Sequence, residues 1–317
     1  MRHLLPALLC ALCLPGWAQS GMKVPLPCES KLQSLSPGGD YAAVRCDDHS
    51  WRLIALPSGR IIRSFDSSPR LTDQSFSEDD KWFVAAFRGG MTQVIPLGST
   101  ASPRTFQAAA EIDTVRLLPG GSTVVVLPHE GPGQVWQLGP APKLVAALPA
   151  DFSGLTFVTA SSDGKFVATG GSDTTVRIYD TATWKAVHEI RQFTLEPFTG
   201  AFTPDSKYLL VGGADSQITV FDPLTGKEVR KLTPTTDIVL EIDPLGDNTH
   251  AAAVQADPDG KNSEYVSIWD LEKGSSSKVR SAQPITGGGV VKGKLWLASV
   301  SERTMQIWNE DFPAAGN

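Results

Sequence analysis

Ser172, set between Gly171 and Asp173, is the serine to weigh as a nucleophile. No GxSxG elbow surrounds it, and Gly-Ser-Asp is turn chemistry in its own right, so a hairpin turn is the reading. Asp257-Pro-Asp-Gly-Lys-Asn262 gathers oxygen donors of the kind that hold calcium. It lacks the spacing and the terminal Glu of a calcium loop, and reads as a polar turn lengthened between strands. The histidines at 3, 49, 129, 188 and 250 are isolated from one another and no CxxC occurs, so no zinc ligand set forms. His188, with Lys185 and Glu189 nearby, belongs to a solvated strand face. There is no phosphate loop GxxxxGK[ST], no helix-opening GxGxxG and no CxxCH haem site. The residues therefore specify no catalytic cluster, and neither a cofactor nor a metal is expected.

Two of the four cysteines, Cys10 and Cys13, lie in an amino-terminal stretch laid out as an export signal. Met1-Arg2-His3 is basic, Leu4 to Trp17 is almost wholly apolar, and Ala18-Gln19-Ser20 offers small residues for cleavage after Ala18 or Ser20. The apolar run is shorter than the roughly 20 residues a membrane span needs. Residues 1–20 are thus expected to be removed, leaving a single domain over 21–317 without a membrane span, in the periplasm or secreted. The remaining pair, Cys28 and Cys46, is even in number for an oxidising compartment, and a disulfide between them is expected.

The 317 residues carry 34 Asp and Glu against 28 Lys and Arg, a net charge of −6. That balance offers no basic excess to neutralise phosphates, so nucleic acid is not an expected partner. With 41% hydrophobic residues the chain can bury a sizeable core. Its 29 Gly and 23 Pro imply many turns.

Those turns recur. Ser36-Pro-Gly-Gly-Asp40, Ser77-Glu-Asp-Asp-Lys81, Leu118-Pro-Gly-Gly-Ser122, Ser161-Ser-Asp-Gly-Lys165, Thr203-Pro-Asp-Ser-Lys207 and Asp243-Pro-Leu-Gly-Asp247 place their second residues 41, 41, 43, 42 and 40 apart. A steady period in this range marks a propeller or a solenoid. Short apolar runs follow each turn, such as Trp82–Phe87 and Thr123–Leu127. Alternating runs such as Val176–Tyr179 and Ile218–Phe221 come next, and polar runs such as Lys185–Ile190 close the unit. Four strands per unit, apolar inside and polar outside, with no helical periodicity, predict an all-β, seven-bladed β-propeller of antiparallel blades. The last unit has too few residues after Trp308 for a fourth strand, so Met22–Pro27 is predicted to supply it and close the ring. Pro25 and Pro27 are tolerable on such an edge.

Tyr179-Asp180, Phe221-Asp222, Trp269-Asp270 and Trp308-Asn309 resemble the terminal dipeptide of WD-repeat proteins, and Gly170–Asp180 and Gly212–Asp222 resemble its repeat most closely. The chain is also similar to exported bacterial propellers with YVTN-type repeats, which include surface proteins and some lactonases. The WD resemblance implies that Asp173 and Asp215 are structural turn residues between the second and third strands. The Gly-His pair usual in that family is absent, which implies an incomplete Asp–His–Ser–Trp network. It further implies that ligand contacts come from the turns after the second and fourth strands. Asp47, Asp48, His49, Arg88 and Arg303 lie on such turns and are the candidate binding residues, expected to converge at the mouth of the axial channel. The expected function is an exported, non-enzymatic scaffold for a protein or peptide. The alternative is a lactonase-like hydrolase with its site at the channel mouth.

Overall fold

The computed structural model of the protein describes residues 22–77, 79–108, 111–149, 154–232, 237–256, 265–279, 287–292, 294–301 and 303–309. The expected export signal at 1–20 and the calcium-like stretch at 257–262 lie outside them. The chain forms 28 strands in seven four-stranded antiparallel sheets. β1 (Met22–Pro25) stands apart at the amino terminus. Blade 1 follows as β2 (Ser30–Leu35), β3 (Tyr41–Cys46), β4 (Trp51–Ala55) and β5 (Arg60–Phe65). Blade 2 is β6 (Leu71–Phe76), β7 (Trp82–Phe87), β8 (Met91–Pro96) and β9 (Arg104–Gln107). Blade 3 is β10 (Ile112–Leu117), β11 (Thr123–Pro128), β12 (Gly133–Gln137) and β13 (Lys143–Leu148). Blade 4 is β14 (Leu155–Ala160), β15 (Phe166–Gly171), β16 (Val176–Asp180) and β17 (Lys185–Ile190). Blade 5 is β18 (Pro197–Phe202), β19 (Leu209–Gly213), β20 (Ile218–Asp222) and β21 (Lys227–Leu232). Blade 6 is β22 (Ile238–Pro244), β23 (His250–Ala256), β24 (Tyr265–Asp270) and β25 (Ser275–Lys278). Blade 7 has β26 (Gly287–Val291), β27 (Lys294–Ser301) and β28 (Thr304–Asn309), and its fourth strand is β1.

Polarity falls into place strand by strand. The second strand of a blade is covered on both faces by neighbouring blades, so TVVVLP of β11 and LLVGG of β19 are buried almost throughout. The fourth strand lies at the rim, and KEVRKL of β21 buries only its last residue, Leu232. Every rim strand has an open edge, which is a hazard for edge-to-edge association. The chain blunts these edges in three ways. Bulges at Ile62, Val145, Val187 and Val229 kink β5, β13, β17 and β21. The strands β9 and β25 have only four residues each. Pro25 ends β1.

The recurrent turns join the first and second strands and bind the blades to one another. Each uses a left-handed residue: Gly39, Asp80, Gly121, Gly164, Ser206, Asn248 and Lys292. The side chains of Asp80, Ser206 and Asn248 meet the turn of the preceding blade. Asp80 accepts from the Gly38 amide and the Ser36 hydroxyl, both at 2.9 Å. Ser206 Oγ accepts from the Asp163 amide at 3.1 Å, and Asn248 Oδ1 from the Asp205 amide at 2.8 Å. A side chain on Gly38 would run into the Asp80 carboxylate and displace it from these bonds. In blade 6 the equivalent turn begins at Leu245, two residues beyond the sequence reading, because Asp243 and Pro244 are the last residues of β22.

β1 pairs with β28 from Met22↔Ile307 to Pro25↔Thr304, and this joins the two ends of the chain in one sheet. Val24 is fully buried there, packed with Leu26, Leu32, Met305 and Ile307. The Lys292 amide donates to the Pro37 carbonyl at 2.8 Å and ties blade 7 to blade 1. Cys28, just after β1, is disulfide-bonded to Cys46 at the end of β3, with Cα atoms 5.8 Å apart and a sequence separation of 18. Replacing both cysteines by serine is expected to cost about 3 kcal/mol from the restored freedom of the unfolded loop. Urea titration under non-reducing conditions measures it.

Candidate functional site

The turns after second and fourth strands share one face of the disc, and all five candidate binding residues lie on it. Asp47, Asp48 and His49 form the β3–β4 turn, Arg88 the β7–β8 turn and Arg303 the β27–β28 turn. These are consecutive blades on either side of the closure. Bonds from the Ser50 hydroxyl and amide hold the Asp48 carboxyl below the usual carboxylate range. The His49 Nδ1 lies 2.9 Å from Arg45 Nη2. Arg88 approaches Glu111 at 3.8 Å, and the Arg303 carbonyl accepts the Leu26 amide at 2.8 Å. The side chains of Asp48, His49 and Arg88 are thus engaged locally, Asp47 and Arg303 bond through their backbone, and among the described residues no hydrogen bond or ion pair joins the five to one another.

Asp173 and Asp215 occupy equivalent turns of blades 4 and 5, and accept from the amides of Thr175 and Gln217 at 3.0 and 3.2 Å. Their surroundings differ. Asp173 meets Arg177 Nη2 at 2.6 Å in a pair whose side chains are 10% and 9% exposed. Burial pushes Asp173 upward, but the Arg177 and Thr175 bonds outweigh it and leave the carboxyl low. Thr219 of β20 stands where β16 has Arg177, and burial raises Asp215 against the pull of the Gln217 amide and Lys231. The acids that end the third strands cap the next turn: Asp180 binds Thr183, Asp222 the Leu224 amide and Asp270 the Lys273 amide, each at 2.8 Å. This explains the recurrent aromatic–acid dipeptide without invoking a ligand.

The charges that do converge come from the innermost strands. Asp73 lies on β6, Asp113 and Arg116 on β10, and Glu241 and Asp243 on β22. Asp73 accepts the Val115 amide of blade 3 at 2.8 Å and lies 3.6 Å from Arg116 Nη1. Burial pushes its carboxyl up, against the pull of Arg116. Burial, reinforced by the Glu241 charge, pushes Asp243 up to about 7, and Arg116 again opposes. Blades 3 and 6 are not neighbours in the ring, so Arg116 can act on Asp243 only across the axis. Arg116, Glu241 and Asp113 are exposed, and Asp243 is half-buried. Asp113 is the bulged residue of β10 and carries His129, of the β11–β12 turn, at 3.0 Å. Its carboxylate raises the His129 imidazole above the ordinary value.

Among the described residues, β6, β10 and β22 thus bring four carboxylates towards the Arg116 guanidinium, with the His129 imidazole beside Asp113. Among the described residues, no group of three or more His, Cys, Asp or Glu is placed to hold a metal ion. No described helix is long and apolar enough to cross a membrane. The array can hold cationic groups through charge-assisted hydrogen bonds. Sequence reasoning missed it because these acids read as the polar half of strand alternation. The usable signal was an acid on each of three inner strands, Asp73, Asp113 and Glu241.

Fold and site together define a seven-bladed β-propeller with a charged axial channel. A family model described as WD domain, G-beta repeat, matches residues 142–180 and 198–222, which fall mainly in blades 4 and 5. Among solved structures, the chain is similar to the β-propeller domain of Cps50 (Swd1) of Myceliophteria thermophila. That likeness has 16% identity and a TM-score of 0.71, over 91% of this chain and 100% of that one. It is similar also to a chain of a mitotic checkpoint complex, with 16% identity and a TM-score of 0.73, over 91% of this chain and 90% of that one. At such identities the likeness is one of fold. No curated protein sequence matches this one.

Proposed function

We propose that the protein is an exported, non-enzymatic interaction scaffold that receives a cationic segment of a protein partner at the acidic mouth of its axial channel. The carrying observation is the set of half-buried and exposed carboxylates held at the axis, where packing does not require charge. A rigid disc positions such groups at little entropic cost on binding. The signal-like residues 1–20 and the disulfide support the export part of the reading, and the repeat supports the scaffold part, as does a propeller of similar fold that is a chain of a mitotic checkpoint complex.

The test is affinity capture from periplasmic extract with the unaltered chain, with Asp113→Asn/Glu241→Gln, and with Lys165→Ala/Lys207→Ala on the opposite face. Capture of a defined partner that the channel variant loses and the other variant keeps is the expected result. No partner in repeated captures, or loss only with the opposite-face variant, contradicts the reading.

A further inference from the structure

We propose that the segment received at the channel mouth carries an apolar side chain beside its cationic group, and that Phe198 and Leu240 receive that side chain. This rests on the reading of function above and names the chemistry of the partner at the same site. A recurring bulge carries it. Six inner strands gain an extra residue at the same early position: Gln33 on β2, Thr72 on β6, Asp113 on β10, Thr156 on β14, Phe198 on β18 and Leu240 on β22. The inner strands of consecutive blades touch, β6 with β10, β10 with β14, β14 with β18 and β18 with β22. The bulges therefore stand at one level around the axis. Each inner strand follows the fourth strand of the blade before it, so that level lies toward the face that carries Asp48 and Arg88.

A bulge leaves its residue out of the ladder and re-aims its side chain. The flanking residues show this. Ile112 and Val115 both pack in the cluster shared with blade 2, and Val239 and Ile242 both in the cluster shared with blade 5. Residues three apart lie on opposite faces of a regular strand. Here the inserted residue brings them to one face, and it leaves Asp113 with Thr114, and Leu240 with Glu241, between them. The six bulged residues divide by sector. Gln33, Thr72 and Asp113 are exposed and Thr156 is half-buried, so blades 1 to 4 present polar groups. Phe198 and Leu240, on adjoining blades 5 and 6, are half-buried. The Thr156 hydroxyl donates to the Pro197 carbonyl at 2.5 Å and holds the backbone that carries Phe198. Exposed Glu241 follows Leu240 directly. Acids and an apolar pair thus share one level. The charges of Asp113 and Glu241 select and orient a cation, and the two apolar side chains gain by removing an attached hydrocarbon from water.

Two probes with the same cation and different hydrocarbon, methylguanidine and 2-phenylethylguanidine, test it by titration followed by NMR chemical shifts. The full chain is compared with Phe198→Thr/Leu240→Thr, which places at both bulges the residue found at 72 and 156, and with Asp113→Asn/Glu241→Gln. The unaltered chain is expected to bind the phenylethyl probe at least about 10-fold more tightly than the methyl probe. The threonine variant is expected to bring the two probes within about 2-fold of one another. The acid variant is expected to weaken both probes and to keep their ratio. Both probes bound equally by the unaltered chain, or a preference that survives in the threonine variant, overturns the assignment to Phe198 and Leu240 while the cationic reading stands. Neither probe bound, or binding that the acid variant leaves untouched, overturns the cationic reading and this inference with it.

Discussion

Asp243→Asn is expected to stabilise the protein above pH 7 and to leave it unchanged near pH 4. The folded ring pushes this carboxyl from 3.8 up to about 7, chiefly by burial and secondly by Glu241. The folded state therefore binds more protons than the unfolded chain between these values, and stability falls as pH rises. The contribution is full below the unfolded value of 3.8 and is lost as pH passes about 7. At about 1.4 kcal/mol per pKa unit the loss reaches about 4 kcal/mol. Asparagine keeps the shape and removes the ionisation. Urea titrations at pH 4 and pH 8 check the sign: the variant should match the parent at pH 4 and exceed it at pH 8. A lower stability at pH 8 would mean that Arg116 outweighs burial.

Val24→Asp is expected to have an effect as large in the opposite direction. Val24 is fully buried in the closure, whereas Lys23 beside it is exposed. A lone carboxylate there has no cation to pair with in the apolar cluster of Leu32, Met305 and Ile307. An unpaired buried charge costs at least about 3–5 kcal/mol. For a domain of this size that lowers Tm by roughly 10 °C. Lys23→Asp, on the solvent side of the same strand, should change stability by less than about 0.5 kcal/mol. Calorimetry of both variants separates loss of the closing strand's packing from a general effect of charge. Equal behaviour of the two would show that β1 does not hold the ring.

The architecture was legible because a propeller repeats its turn chemistry. Ser77, Ser161 and Thr203 each bond an acid two residues on, Asp79, Asp163 and Asp205, at 2.7 Å, and that local pattern survives in the sequence whatever the blade packs against. The closing strand was legible from the shortage of residues after Trp308. Blade 6 was misread by two residues because Asp243-Pro244 imitates the turn, although Pro244 pairs with Ala251 inside the sheet.

The site was much less legible. Turn acids and bases such as Asp48 and Arg88 are conspicuous in sequence but are engaged with local partners. Asp73, Arg116 and Asp243 are separated by 43 and 127 residues and meet only because the sheets close around an axis. Strand alternation predicts that such residues face away from a core. It does not say that seven such faces look at one another.

The most direct measurement of the account is a double-mutant cycle between Arg116→Met and Asp243→Asn at pH 8 and low salt. A closed seven-bladed ring brings these side chains of blades 3 and 6 together across the channel. The predicted result is a coupling energy of at least about 0.5 kcal/mol that shrinks as salt is added. Additivity within about 0.3 kcal/mol would contradict it, since residues on distant blades that do not face a common axis have no means of sensing each other.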